Sequence, residues 1–165
     1  MDKQQIGLIG KHILIANLIA ANIEVAEPLR DRGIDLIAFR DGSDGEEFAA
    51  CPIQLKTATD EAFELSSKYE RFPELRIVYV WNVRNPNDAE LYCLTYAEAI
   101  SLLKSLKHEK FSYLEEHKYW YTGKPSKELK KMLKEYQVSM PKGWHLRLGM
   151  TKSTMTELES DTSLR

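Results

Sequence analysis

The sequence predicts an α/β fold, a β-sheet flanked by helices, and three observations predict it. Residues 9 to 22 place Ile9, Ile13, Ala16 and Ala20 at helical spacing, with Leu14, Leu18 and Ala21 widening the apolar stripe, which describes a largely buried helix. The run Ile77-Val78-Tyr79-Val80-Trp81 is β-branched and aromatic throughout, the composition of a central strand. The segments follow one another as a helix, three strands, two more strands and two helices, an order that buries a sheet under helices.

Each element has a local reason. Asn22 is a suitable residue to end the first helix. Ile23 to Ala26 forms a short strand stopped by Glu27-Pro28, and Ile34 to Arg40 forms a second with Asp35 near its start. Asp41-Gly42-Ser43-Asp44-Gly45 is a dense turn signal. Phe48 to Ala58 reads as a third strand, in which Pro52 predicts an edge, a bulge or an irregular start. Residues 59 to 75 are mixed, with a helical turn at Lys68-Tyr69-Glu70-Arg71-Phe72 and punctuation at Pro73. Ile77 to Val83 is the strongest strand, and after Asn85-Pro86-Asn87-Asp88 the chain returns as Glu90 to Leu94. Thr95 caps a helix to about residue 106, with Glu98 as its capping-box partner. Residues 107 to 122 show no clean period, only the aromatics Phe111, Tyr113, Tyr119, Trp120 and Tyr121. Ser126 caps a basic helix through Tyr136, with Leu129, Met132 and Leu133 inward. Pro141 to Leu148 is a short closing segment.

Composition is that of an ordinary globular chain: 165 residues, 43% hydrophobic and 29% charged, enough for one core and too little for two. The expectation is one domain over residues 1–148, with a core at about 9–106, a basic helical extension at 107–148, and a disordered tail at 149–165 rich in Ser, Thr and acids. The net charge of -2 points to no partner, but its distribution is uneven. Residues 1 to 100 hold 10 Lys/Arg against 17 Asp/Glu, net -7, whereas residues 101 to 147 hold 11 against 5, net +6. Cys51 and Cys93 lie in apolar strand-like runs and read as small buried side chains, and the sparse His and Cys, with no paired spacing, argue against a structural zinc site. Lys11, His12 and Asn17 interrupt the first apolar run, which favours a core helix over a signal peptide, and no run is long enough for a bilayer. The expected compartment is the cytoplasm.

One constellation carries chemistry. Asp35 lies in Gly33-Ile34-Asp35-Leu36-Ile37, and the next strand carries Ile53-Gln54-Leu55-Lys56-Thr57. Gln54 and Lys56 are two apart and share a face. Adjacent strands can therefore bring one carboxylate, one amide oxygen and one ammonium together where a divalent metal and a phosphate meet. Singly, the bland readings compete: an Asp at a strand start is often a turn or cap residue, and a lone strand Lys is often solvated.

Together these segments resemble the core of the PD-(D/E)XK nuclease superfamily, in a variant with Gln-x-Lys where a second acid is usual. The Gly10-Lys11-His12 segment aligns with the helix motif of its Holliday-junction-resolvase-like and intron-endonuclease-like branches. The resemblance covers about residues 9 to 100. It implies a restriction-endonuclease-like mixed β-sheet flanked by helices and a metal-dependent DNA endonuclease or resolvase-like activity. Asp35, Gln54 and Lys56 would be the catalytic residues, and Asp35, Gln54 and the Leu55 main chain would bind Mg²⁺ or Mn²⁺. Lys11 departs from the pattern, standing where many relatives place a metal-assisting Glu. Only Asp35 is then a secure anionic ligand, unless Glu24, Glu27, Glu46 or Glu47 approaches.

That departure motivates a second expectation, a catalytically degenerate nucleic-acid-binding or regulatory module in which Lys11 contacts phosphate. A third is a protein-interaction domain without nucleic acid. Lys124, Lys127, Lys130, Lys131 and Lys134 form a basic row that reads either as a solvated face or as a DNA contact, with Lys142, Arg147 and nearby aromatics adding to it. Trp81, Trp120 and Trp144 are expected to anchor the core, and His12, His108, His117 and His145 are given no catalytic role. A homodimer is expected for a nuclease that cuts two strands.

Overall fold

Helix α1 (Lys3–Ala20) begins at Lys3 rather than at residue 9, because Asp2 and Gln5 form a reciprocal capping box. The Gln5 amide donates to Asp2 Oδ1 at 2.8 Å, and the Asp2 amide donates to Gln5 Oε1 at 3.0 Å. The apolar spacing alone missed this polar first turn. Asn22 ends the helix in the left-handed region at φ 56°, a conformation its short polar side chain tolerates. The computed structural model describes residues 1–30, 32–42, 47–106, 112–114, 119–139 and 141–150.

Five strands make the main sheet: β1 (Glu24–Ala26), β2 (Leu36–Arg40), β3 (Ala49–Thr57), β5 (Arg76–Trp81) and β6 (Glu90–Leu94), in that spatial order. Three pairings are antiparallel and β3 with β5 is parallel, so the sheet is mixed, as expected. The β5 strand is internal, between β3 and β6. Its alternation divides the core in two. Val78 and Val80 join Leu14, Leu18, Leu36 and Ile53 under α1, whereas Ile77, Tyr79 and Trp81 face Phe63, Leu65, Leu102 and Leu129.

Pro52 is not on an edge strand. It lies in the interior strand β3 opposite Ile37, and the register with β5 begins one residue later at Ile53↔Arg76. The proline thus precedes the parallel ladder to which it could not donate.

The connection from β3 to β5 holds a strand the sequence reading left unassigned. Phe63–Ser66 is β4, with Phe63 and Leu65 buried and Glu64 and Ser66 partly exposed, and a 3₁₀ turn follows at Ser67–Arg71 where a helical turn was expected. A hairpin of β7 (Ser112–Leu114) and β8 (Tyr119–Thr122) completes a second, three-stranded sheet in the order β4-β8-β7. The aromatic run Tyr119-Trp120-Tyr121 is therefore a strand.

The helices follow their caps. The α2 helix (Tyr96–Ser105) starts at the expected Thr95/Glu98 capping box. The α3 helix (Lys127–Leu133) starts where Ser126 Oγ accepts from the Leu129 amide at 3.0 Å, and a 3₁₀ turn continues it to Tyr136. Pro141–Arg147 is α4, with Trp144 1% exposed. Gly149 and Met150 belong to the fold, not to a tail. Gly149 turns at φ 70°, Met150 is buried, and Arg40 Nη1 donates to the Met150 carbonyl at 2.8 Å. The expected disorder of residues 151–165 lies outside the described residues, as do Glu46, His108, Phe111 and His117.

Candidate functional site

Asp35 stands immediately before β2. Its amide donates to the Ile53 carbonyl at 2.8 Å, while Leu36 is the register partner of Ile53. Two consecutive residues thus oppose one, the arrangement of a β-bulge, which re-aims a side chain at a strand end. The Asp35 carboxylate turns onto β3: Oδ2 accepts from the Leu55 amide at 2.6 Å and from Gln54 Nε2. The same Gln54 nitrogen lies 3.3 Å from the Leu55 carbonyl. Gly33, whose φ of 94° suits glycine, sits beside this contact: a Cβ there would stand at ordinary contact distance, 3.9 Å from Gln54 Oε1 and 3.8 Å from the Tyr69 ring.

Lys56 lies one pleat further along, on the face away from α1. Its Nζ is 2.6 Å from Glu64 Oε1 on β4 and 5.5 Å from the centroid of the Tyr69 ring. Both members of the ion pair are largely withdrawn from water, at 18% and 26% exposure. Burial pushes the Lys56 ammonium down, but the Glu64 carboxylate and Tyr69 outweigh it and raise its pKa above the ordinary lysine value. Glu64 is itself held: Tyr119 Oη donates to its Oε2, and Tyr79 Oη donates to its main-chain carbonyl at 2.6 Å. Burial and the adjacent Glu64 raise the pKa of the Tyr119 phenol, which stays protonated as the donor.

Lys56 packs on the Tyr69 ring and leads through Glu64 to the second sheet. Beside Lys56 opens a cleft of about 750 Å³, bounded by the end of β3 from Leu55 to Thr57, by Glu64, by Tyr119 and Tyr121 of β8, and by Lys3 and Ile6 of α1.

The predicted residues are distributed as follows. Asp35, Gln54 and Leu55 are in mutual hydrogen-bond contact, and Lys56 shares the Gln54 face. Lys11 is elsewhere: α1 packs on the other face of the sheet, and Lys11 Nζ pairs with Glu27 at 3.0 Å. Of the basic row, Lys124, Lys127, Lys131 and Lys134 are exposed, and Lys130 is tied to Glu61 at 3.0 Å. Glu64 is the residue the sequence reading missed. The alternation of Phe63-Glu64-Leu65-Ser66 was the available signal, but four residues are too few to separate a strand from an irregular segment. Among the described residues no three His, Cys, Asp or Glu side chains cluster as metal ligands. Cys51 and Cys93 are free and buried, as expected. Among the described residues no helix is long and apolar enough to cross a membrane.

No protein-family model matches the chain, and no curated protein matches it. Among solved structures the fold is similar to that of a bacterial homing endonuclease, I-Ssp6803I, at 14% sequence identity and a TM-score of 0.48, over 90% of this chain and 92% of that one.

Proposed function

We propose that this protein is a metal-dependent endonuclease acting on DNA, of the restriction-endonuclease-like type, with Asp35, Gln54 and Lys56 as its catalytic residues. The observation that carries the reading is the position of the Gln54 amide nitrogen, between the Asp35 carboxylate and the Leu55 carbonyl. A polarised N–H₂ group held between two oxygens occupies ground that suits a cation. Turning the amide over would present Oε1 instead, and the donor set would then be carboxylate, amide carbonyl and main-chain carbonyl. Such all-oxygen ligands fit Mg²⁺ or Mn²⁺, which take one or two carboxylates and complete the shell with water and substrate phosphate. The bound metal supplies an activated water and charge neutralisation for phosphodiester hydrolysis. Lys56 meets the phosphate charge by exchanging its Glu64 contact for the substrate, and Glu64 keeps the ammonium charged and in place until then. A second copy of the chain would supply a second site for the other strand of a duplex.

Incubation with branched, single-stranded and duplex DNA, with Mg²⁺ or Mn²⁺, tests this directly. Cleavage is expected to disappear with Asp35→Ala and with Lys56→Ala; cleavage that survives both changes equally rejects the assignment.

A second reading, a DNA-binding or regulatory module that keeps this fold without hydrolysis, is favoured by two specific features. Asp35 is the sole carboxylate of the proposed ligand set, and the Lys56 ammonium is already neutralised by Glu64. Calorimetric titration separates the two: a working site binds Mn²⁺ and loses it with Asp35→Asn. Salt-dependent DNA binding with no metal effect favours the module.

A further inference from the structure

The cleft beside Lys56 has a wall that phosphate chemistry does not require. In the β4/β8 ladder Glu64 is the direct partner of Tyr121, so the Tyr121 side chain stands one strand from the carboxylate that holds Lys56. Directly opposite residues of an antiparallel pair have Cβ atoms only about 5 Å apart. Tyr119 and Tyr121 alternate onto the same face of β8, but they differ in their ties. Tyr119 is fixed by its hydrogen bond to Glu64, whereas Tyr121 is 42% exposed, with its ring lining the cleft.

The charge of the cleft is the second observation. Lys56 is paired with Glu64, Glu61 is paired with Lys130, and Lys3 and Asp60 carry opposite signs. Counted with Lys130, the lining has no net charge. An anion gains there only by displacing Glu64 from Lys56, while a neutral, flat group meets Tyr119 and Tyr121 and the polar residues Thr57 and Thr59 without that exchange. A cleft of about 750 Å³ is within the size range of small-ligand sites and exceeds what one nucleobase needs.

We infer that this cleft is a nucleobase pocket, in which one unstacked base of a DNA strand lies on the Tyr121 ring while its neighbouring phosphate reaches Lys56. The inference rests on the reading that the Lys56 end handles a DNA phosphate, and it narrows the substrate to DNA with unpaired or extruded nucleotides. Stacking on a tyrosine accepts any base, because every base has a π-face. The pocket therefore selects strand structure and not sequence.

Binding without hydrolysis tests it. A fluorescent oligo-dT strand and a strand of the same length with abasic sites replacing its central nucleotides are titrated in EDTA, so that no cleavage is involved. The wild-type protein is expected to bind the base-containing strand roughly tenfold more tightly, the contribution of stacking one base. Tyr121→Ala should remove that preference and Tyr121→Phe should keep it. Gly123→Val offers a second handle that leaves the ring present: a Cβ at Gly123 would stand 2.9 Å from the Tyr121 hydroxyl, so the side chain must move, and the preference should fall. Equal affinity for the two strands, or a preference that survives Tyr121→Ala, overturns the pocket, as does failure to bind either strand. A base preference in EDTA with no metal-dependent cleavage overturns the nuclease reading and leaves the pocket standing. Cleavage with no base preference does the reverse.

Discussion

Replacing Gly10 by Ala tests how closely α1 seats on the sheet. An ideal Cβ at residue 10 would lie 2.1 Å from Thr57 Cγ2 and 3.0 Å from Thr57 Cβ, with Val83 Cγ1 at 3.6 Å. The first distance is far inside the roughly 3.5–4.0 Å separation of contacting carbons, so either α1 lifts or Thr57 leaves its rotamer. Overpacking of this kind costs about 1–3 kcal/mol. Removing a glycine from a helix interior returns about 1 kcal/mol of helix propensity. The net expectation for Gly10→Ala is a loss of roughly 0–2 kcal/mol where an unobstructed Gly→Ala would be a gain. Thr57→Ser removes Cγ2 and leaves the 3.0 Å approach to Cβ, so Gly10→Ala made in that background should be neutral or stabilising. The assay is a double-mutant cycle by urea denaturation, with all four proteins compared at constant m-value. A coupling of at least about 1 kcal/mol is expected between residues 10 and 57. If Gly10→Ala raises the midpoint in the wild-type background, α1 does not approach β3 this closely, and the placement of Lys3 and Ile6 at the cleft fails with it.

Three further outcomes follow from the geometry. Glu64→Gln removes the carboxylate from both Lys56 and Tyr119 while keeping the shape, and should lower stability by about 1–2 kcal/mol in urea denaturation, since the partners keep some access to water; an unchanged midpoint would show that the β4 ion pair is not formed. Replacing Lys127, Lys131 and Lys134 by Ala should weaken DNA binding uniformly across sequences and reduce the salt slope by up to about 1 for each phosphate that is no longer neutralised, read by anisotropy at several salt concentrations; an unchanged slope returns the row to a solvated face. Burial raises the Cys51 thiol to about 11 and the Cys93 thiol to about 12, from an ordinary 9.0, so both should resist Ellman's reagent at pH 8 until urea unfolds the chain. Because these folded-state values are raised, the thiols favour the native state below pH 9, and that contribution is lost as pH climbs through 11 to 12, which denaturation midpoints between pH 8 and 11 should register.

The fold was legible wherever one segment carried enough residues to state its own period. The Ile77 to Trp81 run, the Thr95/Glu98 cap and the Ser126 cap are all local signals, and all three appear where the sequence places them. The failures are short or context-dependent. The β4, β7 and β8 strands have 4, 3 and 4 residues, too few for alternation to stand out, and they are stable only because they pair with one another. Pro52 leaves an edge, a bulge and an irregular start all open for a related reason, and only the edge is overturned. Whether a proline can sit in an interior strand depends on where the neighbouring ladder begins, and that is set by the register of β3 with β5, not by the residues around the proline.

The site divides along the same line. Asp35 immediately precedes β2 and Gln54 and Leu55 lie on the neighbouring β3, so their meeting follows from strand pairing, and reading these neighbours from the sequence needs only the period of 2 along β3. Glu64 comes from a different sheet, and its pairing with Lys56 depends on the β3-to-β5 connection folding back over the Gln54 face. No spacing rule along the chain expresses that pairing. Its consequence is chemical, because a lysine whose charge is neutralised in place is offered to a phosphate only by exchanging one anion for another. On the proposed function, the approach of Lys56 to a phosphate would be a competition with Glu64, and Tyr119, which holds that carboxylate on β4, would set how readily the exchange occurs. Tyr119→Phe should loosen Glu64 without removing its charge, and its effect on DNA affinity should be smaller than that of Glu64→Gln and of either sign. The ordering of the two variants, measured on the same strand at the same salt, separates a carboxylate that competes for Lys56 from one that merely supports the second sheet.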